Sequence, residues 1–335
     1  SVLFNPDIIH VPAGVYLLSL GALTVTDHLR IIGAREGEAT VVDGRHLNRV
    51  FIIDGQRTRI GVELHFLTIR NGRAQSGGGV SHNWGNLLIH RCRVQLSDSF
   101  TGGGGIYNTS GSILSLVRSG VFNNGRSHNI AGRGGGIYQP FPGFLIMRNS
   151  TVSYNTGDVE TGGIIAGGIA CVNNATIVHN QGVPEQLPAG SPPDSATGGL
   201  YGSGSTFIAN TIVAHNTLGP ADALHDCAGT IVSAGYNLLL DPARCTLAGD
   251  LTGNVMGQDP LLGASAFNGG DTPNFSLTPG RPAINAGNPA FPTGLGRACE
   301  PTDQRFRLRG IGPGVERCDI GSYERGGGPG EETSP

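Results

Sequence analysis

The chain of 335 residues has no lysine: all 22 of its basic residues are arginine. That absence excludes a lysine general base, a Schiff-base lysine and a phosphate-binding P-loop lysine. Charge of either sign is scarce, at 14% of residues, so Ser, Thr, Asn and Gly must cover much of the surface. The net charge of −3 gives no electrostatic footprint for nucleic acid. No apolar run reaches the length of a membrane-spanning helix. No signal peptide precedes the strand-like opening at Ser1, as expected of a chain whose leader has been removed. The six cysteines include no CxxC pair, which argues against a zinc site. Cys227/Cys245 and Cys299/Cys318 are 18 and 19 residues apart in a loop-rich third of the chain, a spacing that suits two local disulfides and an oxidising compartment. Cys92 and Cys171 fall inside strand-like runs and read as buried thiols.

Glycine is abundant, at 56 residues, and it recurs in fixed contexts. Clusters open at Gly77, Gly102, Gly134, Gly162 and Gly198, several as GGGIY or GGLY. Strands ending in Asn recur with them, at Asn71, Asn124, Asn155, Asn180 and Asn216, the last four each following a cluster and a short apolar piece. A period of about 25 to 35 residues marks a solenoid. The apolar pieces are short, alternate with polar residues and are rich in Val, Ile and Thr, which favours strands over helices. Three strands per repeat make one coil of an all-β, right-handed parallel β-helix. The glycine cluster then forms a tight corner, with the Ile pointing inward and Tyr107, Tyr138 and Tyr201 outward. Asn149, Asn174 and Asn210 each lie six residues before a closing Asn, and are expected to stack as an amide ladder between coils about 4.8 Å apart.

The expected organisation is coils over 1–225 and an irregular, disulfide-pinned section over 226–324 that continues or caps the helix. A Pro- and Ser-rich excursion lies between Gly182 and Thr197, and a flexible tail over 325–335. Uncapped edge strands at the ends of such a solenoid invite self-association.

The runs VPAGVYLLSLGALTVTDHLRIIGA, LTIRNG, STVSYN, AGYNLL, QDPLLG, NGGDTPNFSLTPGRPAINAG and CDIGSYE together resemble secreted bacterial parallel β-helix proteins of the choice-of-anchor type, in the pectin-lyase-like superfamily. The resemblance runs from about Val11 to Glu324 and implies an extracellular location, secreted or attached to the cell surface. Members often open with a Cys-Ser-Leu-Arg-Glu-type cap and continue past the closing motif into a surface anchor. The given sequence shows no such opening, so its N-terminus is expected to be trimmed or capped differently, and the mode of attachment is left open. The GGGIY and FNN phrases also resemble the repeats of chlamydial polymorphic outer-membrane proteins, which are surface adhesins.

The superfamily contains polysaccharide lyases and hydrolases, but fold alone does not assign activity. The sequence has no Asp-Asp, Gly-His-Gly or Arg-Ile-Lys of the polygalacturonase type. It also lacks the Trp-Ile-Asp-His and Arg-x-Pro-x-x-Arg runs of pectate lyases and the Asp-Pro-His-Glu of C5-epimerases. β-Elimination would have to rest on Arg or His. The candidates are Arg91, Arg93, Arg118 and Arg148, with His90, His179 and His215. Tyr154, His179 and His215 share the place before a closing Asn and could contact a glycan together. Asp43 and Asp54, eleven residues apart in Asp-Gly turns, are the calcium candidates, with a turn role the simpler reading. Four glycosylation sequons, at Asn108, Asn149, Asn174 and Asn274, read as chance matches. The expected function is therefore an extracellular β-helix module for adhesion, self-assembly or contact with polysaccharide, without catalysis. The alternative is a lyase or hydrolase acting on an acidic glycan.

Overall fold

The computed structural model describes residues 6–328, apart from 36–38, 57, 110, 126–132, 159, 184–195, 220–222, 291–292, 295–296 and 311–316. Most of the proline-rich excursion and the end of the tail, 329–335, lie outside the described residues. No helix occurs among them, and 34 strands do. The chain is a parallel β-helix. One wall stacks strands such as Val80–Asn83, Ile106–Asn108 and Ile137–Gln139, and a second stacks Gly85–His90, Ile113–Val117 and Phe144–Arg148. Long strands, Leu200–Ala209 and Cys227–Ala234, run through both walls and join them in one sixteen-stranded sheet. The third wall is a ten-stranded sheet that includes Arg93–Gln95, Gly120–Phe122 and Thr151–Ser153.

The alternation of side chains decides what each coil buries. Phe51, Val80, Ile106, Ile137, Ile164 and Leu200 are register partners and are at most 1% exposed. Ile69, Val94, Val121, Val152, Ile177 and Val213 fill the opposite wall the same way. Tyr107 and Tyr138, one residue past the inward Ile, turn outward with ring centroids 5.5 Å apart. The glycine corner is obligatory. Gly103 and Gly134 both have φ +62°, and a Cβ on Gly103 would lie 2.2 Å from the Ile106 carbonyl oxygen.

A polar column does run up the inside, but at the closing asparagines rather than at Asn149, Asn174 and Asn210. Asn124 Nδ2 donates to Asn155 Oδ1 (2.9 Å), Asn155 to Asn180 (2.8 Å) and Asn180 to Asn216 (2.9 Å). Every donor points toward the next coil, so the last partner must be an acceptor. Asp226 fills that place and takes the Asn216 amide at 2.9 Å. Asn149, Asn174 and Asn210 do stack, yet they serve a different need. They sit at the sharp bend between the second and third walls, with φ 47°, 47° and 48°. Asn tolerates that left-handed conformation better than most residues.

The coils continue past 226 through parallel strands to Val255–Met256. The chain then forms an antiparallel hairpin, Leu262–Ala266 with Asn274–Leu277, and returns along the outside of the third wall. Phe275, Leu277, Ala283 and Ile320 from this returning arm pack on Val178, Ile212, Ala214 and Leu238 in a second core. The bend asparagines hold the arm. Asn149 Oδ1 accepts from Arg309 (3.0 Å), Asn174 Oδ1 from the Glu300 amide (2.8 Å) and Asn210 Oδ1 from the Asn288 amide (2.9 Å). Disulfides join Cys227 to Cys245 and Cys299 to Cys318. Cys92 is buried, but Cys171 is exposed, because Ala170 and Val172 take the inward positions of its strand. At the other end, Ile8, Ile9, Val15, Leu17 and Leu20 of the first coil are exposed, Leu20 fully.

Candidate functional site

The bend that precedes the third wall also carries Phe66, Arg91 and Arg118, with φ 55°, 54° and 47°. Left-handed residues at one position of successive coils project side by side. Phe66 and Arg91 are therefore neighbours, with the guanidinium carbon 5.1 Å from the ring centroid. Arg35 lies over the same ring, also at 5.1 Å. Arg93 leaves the outer face of the third wall two residues later, register partner to Thr68 and Gly120, whose small side chains leave it room. The hairpin loop of the returning arm closes over these groups. Phe267 stacks on Arg93 at 5.2 Å, and Asp271 Oδ2 accepts from Arg91 Nε at 2.5 Å. The result is a cleft of about 220 Å³ lined by Arg35, Arg91, Arg93, Phe66, Phe267 and Asp271.

Among the described residues no carboxylate lies within ion-pairing distance of Arg93. Burial lowers the pKa of its guanidinium, and an arginine keeps its charge near neutrality. The cleft therefore holds a cation stacked on an aromatic ring and bonded to no carboxylate among the described residues, with Asp271 acting on it only through space. Anions with a flat apolar face suit such a surface.

A chain of side chains runs beside the cleft on the outer face of the second wall. Arg30 Nε donates to Glu63 Oε2 at 2.7 Å, and His65 Nε2 donates to the same oxygen at 3.0 Å. His65 Nδ1 is then a lone pair and accepts from His90 Nδ1–H at 3.1 Å. His90 Nε2 in turn faces Arg118 Nη1 at 3.4 Å. Every ring nitrogen is engaged, so neither histidine offers a base to the cleft. Burial raises the Glu63 carboxyl, but the bonds from Arg30 and His65 outweigh it and hold the group below its usual range. Burial, then the charges of His65 and nearby arginines, pushes His90 down to about 3. His82, sealed in the interior against Asn108, is pushed down to about 4 by burial.

Those two shifts make the fold sensitive to acid. A histidine held neutral when folded takes up its proton on unfolding below pH 6.5. Its contribution is complete above that value and is lost as pH falls toward the folded pKa. Removing the His90 share by H90Q should lower the stability lost between pH 6.5 and 4 by on the order of 3 kcal/mol. Melting midpoints of wild type and variant across that range measure the difference.

No family profile matches the sequence, and no curated protein matches it either. Among solved structures the chain is similar to the crystal structure of pectate lyase Pel9A, at 12% identity and a TM-score of 0.39, over 96% of this chain and 89% of that one.

The remaining candidates scatter or are already used. Arg118 stacks on Phe306 at 4.7 Å and bonds Thr302 Oγ1, both on the arm. Arg148 faces Glu300 of the arm at 3.7 Å, across a second cleft that also holds Cys171 and Phe207. Tyr154, His179 and His215 do meet, as a parallel stack with 5.2 Å between successive centroids. They are the left-handed residues of the next bend, each with φ 56°. His179 is sandwiched, His215 Nε2 bonds Asp259 at 2.9 Å, and Tyr154 at the end of the stack is exposed. Asp43 and Asp54 fall on different sheets, because eleven residues carry the chain round a corner. Asp43 pairs Arg70 at 2.8 Å and Asp54 accepts from the Gln56 amide at 2.9 Å, which are turn and pairing roles. No group of three or more His, Cys, Asp or Glu able to hold a metal occurs among the described residues. All four sequon asparagines are at most 2% exposed.

Sequence reasoning missed Arg35, Phe66, Phe267 and Asp271. Phe66 and Arg91 are 25 residues apart, one coil, and that interval was the available signal. Phe267 and Asp271 arrive from an arm whose return path has no periodic trace.

Proposed function

We propose that this chain is an extracellular β-helix module that contacts acidic polysaccharide without cleaving it. The observation that carries the reading is Arg93, stacked on Phe267 with no carboxylate partner among the described residues. A uronate or sulfated sugar supplies an anion for Arg93 and an apolar ring face for Phe66 or Phe267. The two disulfides suit an oxidising compartment. The engaged nitrogens of His65 and His90 speak against β-elimination, which needs a base poised at the C5 proton. Self-assembly through edge strands belongs to the same proposal.

Titration with an oligogalacturonate is the test. Wild type should bind with an affinity that weakens as salt is added, and R93Q should lose about tenfold, the value of one charge-assisted contact. Wild type should release no unsaturated product. An R93Q that binds as well as wild type, or turnover by wild type, overturns the proposal.

A further inference from the structure

The arm loop between the hairpin strands Leu262–Ala266 and Asn274–Leu277 is firmly built. Asn268 Nδ2 donates to the Ala266 carbonyl (3.2 Å), the Asn274 carbonyl (3.1 Å) and Asn274 Oδ1 (3.0 Å). Thr272 Oγ1 donates to the Arg118 carbonyl at 3.2 Å. The loop thus presents Asp271 in one place, against Arg91. The two members of that pair are unequally covered. The Arg91 side chain is 12% exposed and that of Asp271 31%. Arg91 is further fixed by Phe66 at 5.1 Å and Phe306 at 5.6 Å. The carboxylate is the outer, water-reached partner, and the guanidinium the inner, immobile one.

We propose that Asp271 is a built-in counter-ion that sets how much negative charge the cleft accepts. Its carboxylate holds the Arg91 guanidinium, and an anionic sugar must compete for it. Arg93, which Asp271 reaches through space but does not bond, is left as the site where a ligand anion can pair directly. This inference rests on the acidic-polysaccharide reading and deepens it. The cleft then prefers glycans with one carboxylate per ring, spaced along a chain, over densely charged ones. A second anion close to the first meets Asp271 rather than Arg91.

The experiment titrates wild type, D271N and D271E with an oligogalacturonate, its fully methyl-esterified neutral counterpart and a heavily sulfated oligosaccharide, at low and moderate salt. D271N keeps the shape and a hydrogen-bond acceptor for Arg91 but removes the competing charge. It should bind the oligogalacturonate about tenfold more tightly at low salt, with steeper salt dependence. Its gain for the sulfated ligand should be larger still. D271E should behave as wild type, and the neutral ligand should not distinguish the three. If wild type binds and D271N binds equally or less well, there is no competition and the proposal falls. If D271N weakens charged and neutral ligands alike and lowers the melting midpoint, Asp271 is an arm anchor only, which also overturns it. If no variant, wild type included, binds an anionic ligand, the acidic-polysaccharide reading falls and this inference with it.

Discussion

Replacing Asn180 with Leu should destabilise the protein by about 3–5 kcal/mol, because it breaks the inner amide column at its middle. Asn180 is fully buried, and its Nδ2 donates to Asn216 Oδ1, the Val152 carbonyl and the Val178 carbonyl at 2.9, 3.0 and 3.2 Å. Its Oδ1 accepts from both the side chain and the backbone of Asn155, at 2.8 and 3.0 Å. Leu fills the volume but takes a partner from each of those groups in a dry interior; Asn216 Oδ1 keeps the backbone N–H of residue 180 and Asn155 Nδ2 keeps the Val121 carbonyl. For a chain of this size the melting midpoint should fall by on the order of 10 °C. Exchange of backbone amides should accelerate first in the coils on either side, since a solenoid couples mainly through neighbours. N180D should be no better: it keeps the acceptor but turns carboxylate oxygen toward three acceptors. The control is Asn123, which sits at the bend with φ 56°. N123G should change stability by no more than about 0.5 kcal/mol, because there Asn serves backbone conformation. A midpoint for N180L within two degrees of wild type would remove the column as a source of stability.

That contrast shows what the sequence made legible and what it did not. The period, the short alternating strands and the glycine corners announce a solenoid, since each follows from steric rules local to one coil. The closing asparagines and those six residues earlier look equivalent on paper, because both recur once per coil. Only their direction separates them. Asn155, Asn180 and Asn216 point into the core, where an unpaired amide is costly. Asn149 and Asn174 point outward at a bend, where the left-handed backbone selects Asn and the side chain is left over to grip the arm. Cys171 was misplaced for the same reason: its strand is apolar on both faces, and composition does not reveal which face is the core. The cleft was half legible. Arg91 and Arg93 stand among the arginines the sequence offers for β-elimination, but the arm residues that complete the cleft are 174 positions or more further on, 267 minus 93 being the shortest interval. No repeat extends to them, so no periodicity argument reaches them.

The arm's grip on the solenoid makes the second large effect. Arg309 is fully buried and gathers the arm's end against the bend. It donates to Glu324 Oε2 at 3.2 Å, the Gly321 carbonyl at 2.8 Å, and Asn149 Oδ1 at 3.0 Å. R309M should cost about 3–5 kcal/mol, because it leaves a buried carboxylate and several acceptors without their cation. Burial already pushes the Glu324 carboxyl up, and loss of the arginine pushes it further. A carboxyl raised in the folded state contributes stability below its unfolded value that is lost as pH rises through the folded one. The defect should therefore be milder at pH 5 than at pH 8, opposite in sign to the acid weakness that His90 confers. If the arm alone lets go, the coils keep their strands while Phe275, Leu277 and Ile320 come off the third wall and the cleft loses Phe267 and Asp271. R309M should then bind an apolar dye and lose oligogalacturonate binding, although Arg309 is not among the residues lining the cleft. Unchanged binding in a variant whose arm is readily cut by protease would mean that the solenoid face alone holds the ligand, and that the arm is packing.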